Sequence, residues 1–281
     1  MNADASNPAL HFGSEVKRAR VAAGMTLAEM GRVVGYHKSQ VSRVERGVRA
    51  PTRKFAQMCD LAFPGRGGWF LRFYDDSRQW SAMPPWFRNW IEHEQRAVNL
   101  RIWQPSSLSG LVQTEAYALA QLRTFPGATA EQVAERLSAR MARQAILTRE
   151  TPAAPMLWFL IDEAALRRQT GSALIMAEQL ERLLTLAELP NVTIQVVPNI
   201  AHAGLLGGFA VAENAAYVET AVAGQVFEDA EVIADLLTRF DTLRNEAFRG
   251  SESLTLIERM CEEWKATGVK AATQATTAGS A

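Results

Sequence analysis

The spacing of apolar residues divides the chain into a helical part and a mixed part. From residue 12 to residue 77, apolar positions recur at helical spacing in short segments that are separated by glycines. Residues 86 to about 150 keep the helical spacing, whereas the continuous apolar run 157–161 is typical of a strand buried on both faces. Strand and helix periods then alternate. The further predicted strands are 192–196, 209–212 and 216–220, and the further predicted helices are 172–189, 228–248 and one after Ser251.

Two short predicted helices meet at a glycine turn within the first part. Thr26 and Glu29 have the spacing of a capping box, which starts the first helix, and Gly35 ends it. The second helix begins near His37 and ends at Gly47. Two short helices joined by a turn of three or four residues form a helix-turn-helix, a unit with which many proteins read DNA.

The second of these helices carries polar side chains on its predicted outward face. Its N-terminal half is the part that enters the major groove, where Arg and Lys recognise guanine and Ser hydrogen-bonds to several partners. The candidates for reading bases are Lys38, Ser39, Ser42 and Arg43. The candidates for contacting phosphates are His37, Gln40, Arg46, Arg49, Arg53 and Lys54.

The distribution of charge agrees with this interpretation. The whole chain has 30 basic and 30 acidic residues and no net charge, yet residues 1–80 carry 13 basic against 7 acidic residues. A small basic segment joined to an acidic body is typical of a nucleic-acid-binding domain on a larger regulatory protein. The alternative is a helical protein-interaction module with incidental basic charge. The position of the charges on one motif favours DNA binding.

Residues 12–62 resemble the Xre/lambda-repressor-like helix-turn-helix, on the stretch VKRARVAAGMTLAEMGRVVGYHKSQVSRVERG. The resemblance implies that Arg20 of the first helix pairs with Glu45 near the end of the recognition helix, and that this pair is structural. Two positions depart from the usual pattern of that family. Leu27 stands where many members have a Gln that touches phosphate, and His37 stands where Ser or Thr usually caps the helix.

Pattern and motif together predict a chain of four segments. Ser14 can N-cap the first helix. The first ten or so residues are small and polar, so an arm without order is expected there. The fold class expected is an all-α five-helix helix-turn-helix domain, followed by an α/β (α+β) domain with a helical first half and a small mixed sheet. The predicted bounds are 1–11 for the disordered arm, 12–80 for the helix-turn-helix domain, 81–265 for a regulatory and dimerisation domain, and 266–281 for a disordered tail.

Residues that could carry catalysis are not grouped in the larger part of the chain. The four histidines of the whole chain are scattered, and Cys59 and Cys261 lie far apart in sequence. The chain contains neither a P-loop nor a dinucleotide fingerprint. Asp162 and Glu163 follow a buried strand, where capping of the next helix is the more frequent role for carboxylates. We therefore expect no enzyme, no cofactor and no metal site.

An aromatic group and a second resemblance concern the same part. Trp86, Trp90 and Trp103 indicate either a core or interdomain seam, or the wall of a pocket for an effector or a partner. The stretch 86–257 is similar to the domain of unknown function that follows Xre-type helix-turn-helix domains in actinobacteria, the WhiJ-like group. Segments that carry this match are SGLVQTEAYALA, ARQAIL, IDEAALRR, QLERLLTLAELPNVTIQVVP, GGFAV and FEDAEV. The resemblance implies a domain that senses or docks something, with a small partner protein often encoded nearby.

The sequence thus predicts a sequence-specific transcriptional regulator that binds double-stranded DNA at an inverted-repeat operator. Since one short recognition helix reads few base pairs, we expect a homodimer held by the larger domain. The apolar runs of the chain are shorter than the roughly 18 residues of a membrane span, so a cytoplasmic protein without membrane association is expected. Two other readings stay open: an antitoxin-like adaptor for a small partner protein, with DNA binding serving autoregulation, and a regulator gated by a small-molecule effector.

Overall fold

The structure is a computed structural model that describes residues 8–82, 85–220 and 223–278, without the side chains of 76, 78–82, 85, 86 and 272–278. The chain forms two compact units, Met1–Ser81 and Ala82–Ala281. Within the described ranges, no helix is both long enough and apolar enough to cross a membrane.

The described part of the first unit is all α-helical, as the apolar spacing predicts. Its core is formed by side chains from every helix, among them Phe12, Met30, Val41, Phe55 and Phe70. A short 3-10 turn at Pro64–Arg66 joins the last two helices. The helices are α1 (Pro8–Ala22), α2 (Leu27–Val34), α3 (Lys38–Glu45), α4 (Arg53–Ala62) and α5 (Trp69–Ala82).

The second unit is an α/β domain built on one mixed sheet, which confirms the predicted fold class. The strands are β1 (Asn99–Gln104), β2 (Met156–Asp162), β3 (Val192–Val197), β4 (Phe209–Val211), β5 (Ala216–Glu219) and β6 (Gly224–Phe227). Among the described residues their order is β3-β2-β1-β4-β5-β6. The first three strands are parallel and the other pairings are antiparallel.

Helices cover both faces of this sheet. Along β2, Leu157, Phe159 and Ile161 join a large core with two helices, α10 (Ala173–Ala187) and α12 (Gly250–Ala278). Leu160 points the other way and joins a smaller core with α11 (Ala230–Glu246). Alternating residues of a strand point to opposite faces, so burial on both faces explains the continuous apolar run of β2. The helices are α6 (Pro85–Arg96), α7 (Glu115–Leu122), α8 (Ala130–Arg143), α9 (Glu163–Arg167), α10 (Ala173–Ala187), α11 (Ala230–Glu246) and α12 (Gly250–Ala278).

The structure corrects the expectation that residues 86 to about 150 are helical throughout. Strand β1 lies inside this stretch and is paired on both sides, with β2 and with β4. Leu100 and Ile102 alternate correctly for a strand, and both are buried in the larger core. The six-residue segment is too short to show its period, and its partners, distant in sequence, decide its conformation.

The first and last helices extend beyond the boundaries predicted for the arm and the tail. Helix α1 begins at Pro8, so Ser14 is not an N-cap but lies inside the helix and donates a hydrogen bond to the carbonyl of His11. Residues 1–7 of the predicted arm lie outside the described residues. Helix α12 continues beyond the predicted tail boundary to Ala278. This added part of α12 packs closely against α10. A Cβ built on Gly268 would lie only 2.6 Å from Leu174 Cδ2 of α10.

Candidate nucleic-acid interface

A three-residue turn joins α2 to α3. Thr26 and Glu29 form the capping box that starts α2, with Thr26 N donating to Glu29 Oε2 at 2.8 Å. Gly35 ends α2 in the left-handed conformation, at φ +74°. A Cβ on Gly31 would lie 2.5 Å from the carbonyl oxygen of Tyr36, so the turn folds directly onto the helix. The capping box, the left-handed Gly35 and the close turn together give α2 and α3 the arrangement of a helix-turn-helix.

His37 caps the N-terminus of α3, although the resemblance gives Ser or Thr as the usual residue. Its Nδ1 accepts from the backbone N–H of Ser39 at 3.3 Å, and Gln40 Oε1 accepts from His37 N at 3.2 Å. The imidazole nitrogen therefore replaces the hydroxyl oxygen of the common cap. Gln40 is held in this reciprocal cap, so the structure gives this phosphate candidate a second role.

The inner face of α3 lies directly against α1. Val41, Val44 and Glu45 are buried, and a Cβ on Gly13 would lie 2.1 Å from the carbonyl oxygen of Val44. Only glycine allows so close an approach of the two helices. Gly13 is not among the residues predicted from the sequence, although a glycine inside a helix is a signal of close packing.

Arg20 and Glu45 join the same two helices through their side chains. Arg20 Nε lies 2.6 Å from Glu45 Oε1, and Arg20 Nη2 lies 2.9 Å from Glu45 Oε2. Arg20 also donates to the carbonyl of Met25 at 2.8 Å. The hydrogen bond with Glu45 raises the pKa of Arg20. The pair thus ties α3 to α1 and to the turn before α2.

The four candidates for reading bases lie together on the outer face of α3. Lys38, Ser39 and Arg43 are exposed, and Ser42 is half-buried. The Ser39 hydroxyl lies 2.8 Å from His37 Nδ1. Since the opposite face is fixed against α1, this stripe is the outward surface of α3.

The phosphate candidates differ in their availability. His37, Arg46, Arg49 and Lys54 are exposed at the ends of α3 and α4. Arg53 is also exposed, but its guanidinium is bound to both carboxylate oxygens of Asp75 on α5, at 3.1 Å each. Arg53 therefore joins α4 to α5 in this structure.

Comparison with known families gives matches to both units. Residues 11–62 match a helix-turn-helix domain, and residues 87–259 match a domain of unknown function, DUF5753. The chain belongs to the DUF5753 family. No curated protein matches it, and no solved structure matches it. The N-terminal match is to a type of domain that DNA-binding regulators use.

Trp90 and Trp103 of the DUF5753 domain lie in different cores, on opposite faces of the sheet. Trp90 is buried in the larger core beside a cavity, stacked on Tyr217. Trp103 lies in the smaller core, and its Nε1 donates to the carbonyl of Gly204 at 2.9 Å. The side chain of Trp86 lies outside the described residues. The pocket predicted from all three is therefore wrong for Trp103, because β1 directs this side chain to the other face of the sheet.

The carboxylates after β2 of the DUF5753 domain have structural partners. Asp162 Oδ1 accepts from Ala164 N at 2.7 Å and so caps α9, while Asp162 Oδ2 lies 3.0 Å from His202 Nε2. Both side chains of this second pair are buried. Glu163 pairs with Arg167 one turn later. These contacts connect the end of β2 to α9 and to the loop before β4.

Proposed function

We propose that this protein is a sequence-specific transcriptional regulator that inserts α3 into the major groove of double-stranded DNA. The observation that carries the proposal is the division of α3 into two faces. One face is locked to α1 through Gly13 and Glu45, and the other presents Lys38, Ser39, Ser42 and Arg43 outward. Such a helix offers hydrogen-bonding groups in a fixed orientation, as reading of base edges requires.

The finer assignment rests on resemblance. Residues 12–62 are similar to Xre-type helix-turn-helix domains and the rest to the WhiJ-like actinobacterial group, in which a regulatory domain follows the DNA-binding domain. We propose that the DUF5753 domain of this chain holds a homodimer and receives the signal, from an effector or a small partner protein. A dimer would read two half-sites about 34–36 Å apart on one face of the duplex.

Selection from a pool of random duplexes tests the proposal. The full chain is expected to enrich one sequence, arranged as an inverted repeat, at physiological salt. A matched variant carrying both Lys38→Ala and Arg43→Ala should enrich nothing, whereas Arg18→Ala should behave as the wild type. Arg18 is the control because it is an exposed cation on α1, outside the α3 stripe. Binding of all duplexes with equal affinity by the wild type would contradict sequence-specific regulation.

A further inference from the structure

A cavity of about 440 Å³ opens in the DUF5753 domain between α6, α7, α8 and one end of the sheet. Its volume is in the range of small-molecule sites, which begin at about 300 Å³. Trp90, Leu108, Phe125 and Tyr217 provide apolar and aromatic wall. The cavity is therefore large enough for a small organic ligand and has an apolar surface to receive one.

Three arginines of α8 line the same cavity. Arg136, Arg140 and Arg143 lie at helical spacing, so their side chains share one face of α8. The guanidinium of Arg136 lies 5.9 Å from the ring centre of Phe125, and that of Arg143 lies 4.9 Å from the ring centre of Phe87. The aromatic wall and the cationic wall are thus adjacent.

Arg140 is held in place by neutral groups. Its Nη1 donates to Gln113 Oε1 and to Gln121 Oε1, both at 2.7 Å. In the part of the chain that the structure describes, its Nε and Nη2 make no hydrogen bond and no carboxylate lies within 4.0 Å of it. Burial lowers the pKa of Arg140 to about 10, and the neighbouring Arg143 acts in the same direction. The Arg140 side chain is half-buried, so its guanidinium is only partly hydrated, and an anion in the cavity would supply the counter-charge that it lacks.

Two carboxylates also face the cavity, and they do not balance the arginines. Glu94 Oε1 lies 3.0 Å from Arg143 Nε, and Glu94 Oε2 accepts from Trp90 Nε1 at 3.1 Å. Burial raises the pKa of Glu94, against the opposing effect of Arg143. Glu219 is exposed at the rim and acts on Arg140 only at longer range. The cavity wall therefore keeps an excess of positive charge around Arg136 and Arg140.

We propose that this cavity binds a small organic anion, with its carboxylate or phosphate group on Arg140 and Arg136 and its apolar body against the aromatic wall. A guanidinium group can bind either a carboxylate or a phosphate through two parallel hydrogen bonds. Arg140 has its Nε and Nη2 available to donate these two bonds. The inference gives a ligand class to the signal-receiving role proposed for this domain. Binding is measured without DNA, so its failure and a failure of DNA recognition are distinguishable.

Thermal unfolding of the full chain tests the proposal at constant ionic strength. The probes are octanoate, phenyl phosphate, inorganic phosphate and, as neutral controls, octanamide and phenol. An organic anion is expected to raise the Tm by several degrees, since a ligand that binds only the folded state stabilises it. A larger Tm shift with octanoate indicates a carboxylate ligand, and a larger Tm shift with phenyl phosphate indicates a phosphate ligand. Inorganic phosphate should give a smaller shift, because it lacks the apolar body, and the neutral controls none.

Two variants remove the positive charge of the site in different ways. Arg140→Gln deletes the cation, and Gln121→Glu keeps Arg140 but supplies a carboxylate at the 2.7 Å contact. Both should lose the response to the anion, and Gln121→Glu should also raise the Tm without any ligand. Arg239→Gln, at an ion pair on α11, is the matched control and should respond as the wild type. The same shift in all variants, or no shift with either organic anion, would overturn the proposal.

Discussion

Arg20 and Glu45 form two parallel hydrogen bonds although they lie 25 residues apart in sequence, and only 12% and 5% of their side chains are exposed. A pair so buried cannot contact DNA. We expect Glu45→Ala to lower the free energy of unfolding by about 3–5 kcal/mol, because it leaves the guanidinium buried without its partner. Urea unfolding of the full chain measures this loss.

The double variant Arg20→Met/Glu45→Leu provides the control for that loss. Replacing both charges with apolar side chains should recover part of the stability, and the preferred DNA sequence should stay the same. A changed base preference in Glu45→Ala at unchanged stability would contradict the structural role.

Arg43 is exposed on the outer face of α3 and is expected to read a base. Arg43→Ala should weaken binding to the selected duplex by about 1–3 kcal/mol and relax the preference at one base pair, with unfolding unchanged. Fluorescence anisotropy on single-base variants of the duplex measures both effects. Equal losses on every duplex would assign Arg43 to phosphate contact instead.

The cations at the ends of α3 and α4 should make DNA binding depend on salt. Each phosphate contact adds about −0.9 to the slope of log K against log salt concentration. Arg49→Ala and Lys54→Ala should each reduce the slope by about one such unit. Arg53→Ala should reduce it by less, since Asp75 already neutralises Arg53. Titrations at four salt concentrations give the slopes, and an affinity independent of salt would rule out these contacts.

Assembly is expected to depend on the second unit. Light scattering should give a dimer for the full chain and a monomer for a fragment that ends at Ser81, the last residue of the first compact unit. The fragment should bind the selected duplex at least about tenfold more weakly, because it loses the second half-site. A monomeric full chain that binds one half-site tightly would be evidence against the dimer.

Both cysteines are buried, Cys59 in the first unit and Cys261 in the second. Burial raises the pKa of each thiol, so the reactive thiolate is scarce at neutral pH. Reaction with a thiol-specific dye is expected to be at least about tenfold slower in the folded chain than in urea. Rapid labelling of one thiol without unfolding would show that its unit opens locally.

The helix-turn-helix could be predicted because its signals are local. The capping residues Thr26 and Glu29 and the turn residue Gly35 act within one or two turns of their own helix, so sequence spacing contains their geometry. Gly13 was missed for the opposite reason. Its importance comes from Val44, which is distant in sequence, so a glycine inside a helix indicates a close approach without identifying the partner.

The cavity of the DUF5753 domain could not be predicted from the sequence. Arg136, Arg140 and Arg143 have the spacing of a solvated face on an amphipathic helix. Only the packing of α7 and the sheet over that face turns it into a cavity wall. Strand β1 is a similar case, since its partners β2 and β4 come much later in the chain.

The position of β1 at the centre of the sheet has a consequence for the order of folding during synthesis. Trp103 of β1 pairs with Phe209 of β4, which the ribosome adds on the order of ten seconds later. The sheet cannot close before that residue has emerged. The described residues 8–81 of the first unit form helices that are close in sequence, and contacts between such helices form quickly. The DNA-binding unit is therefore complete on the nascent chain while the domain behind it is still being made.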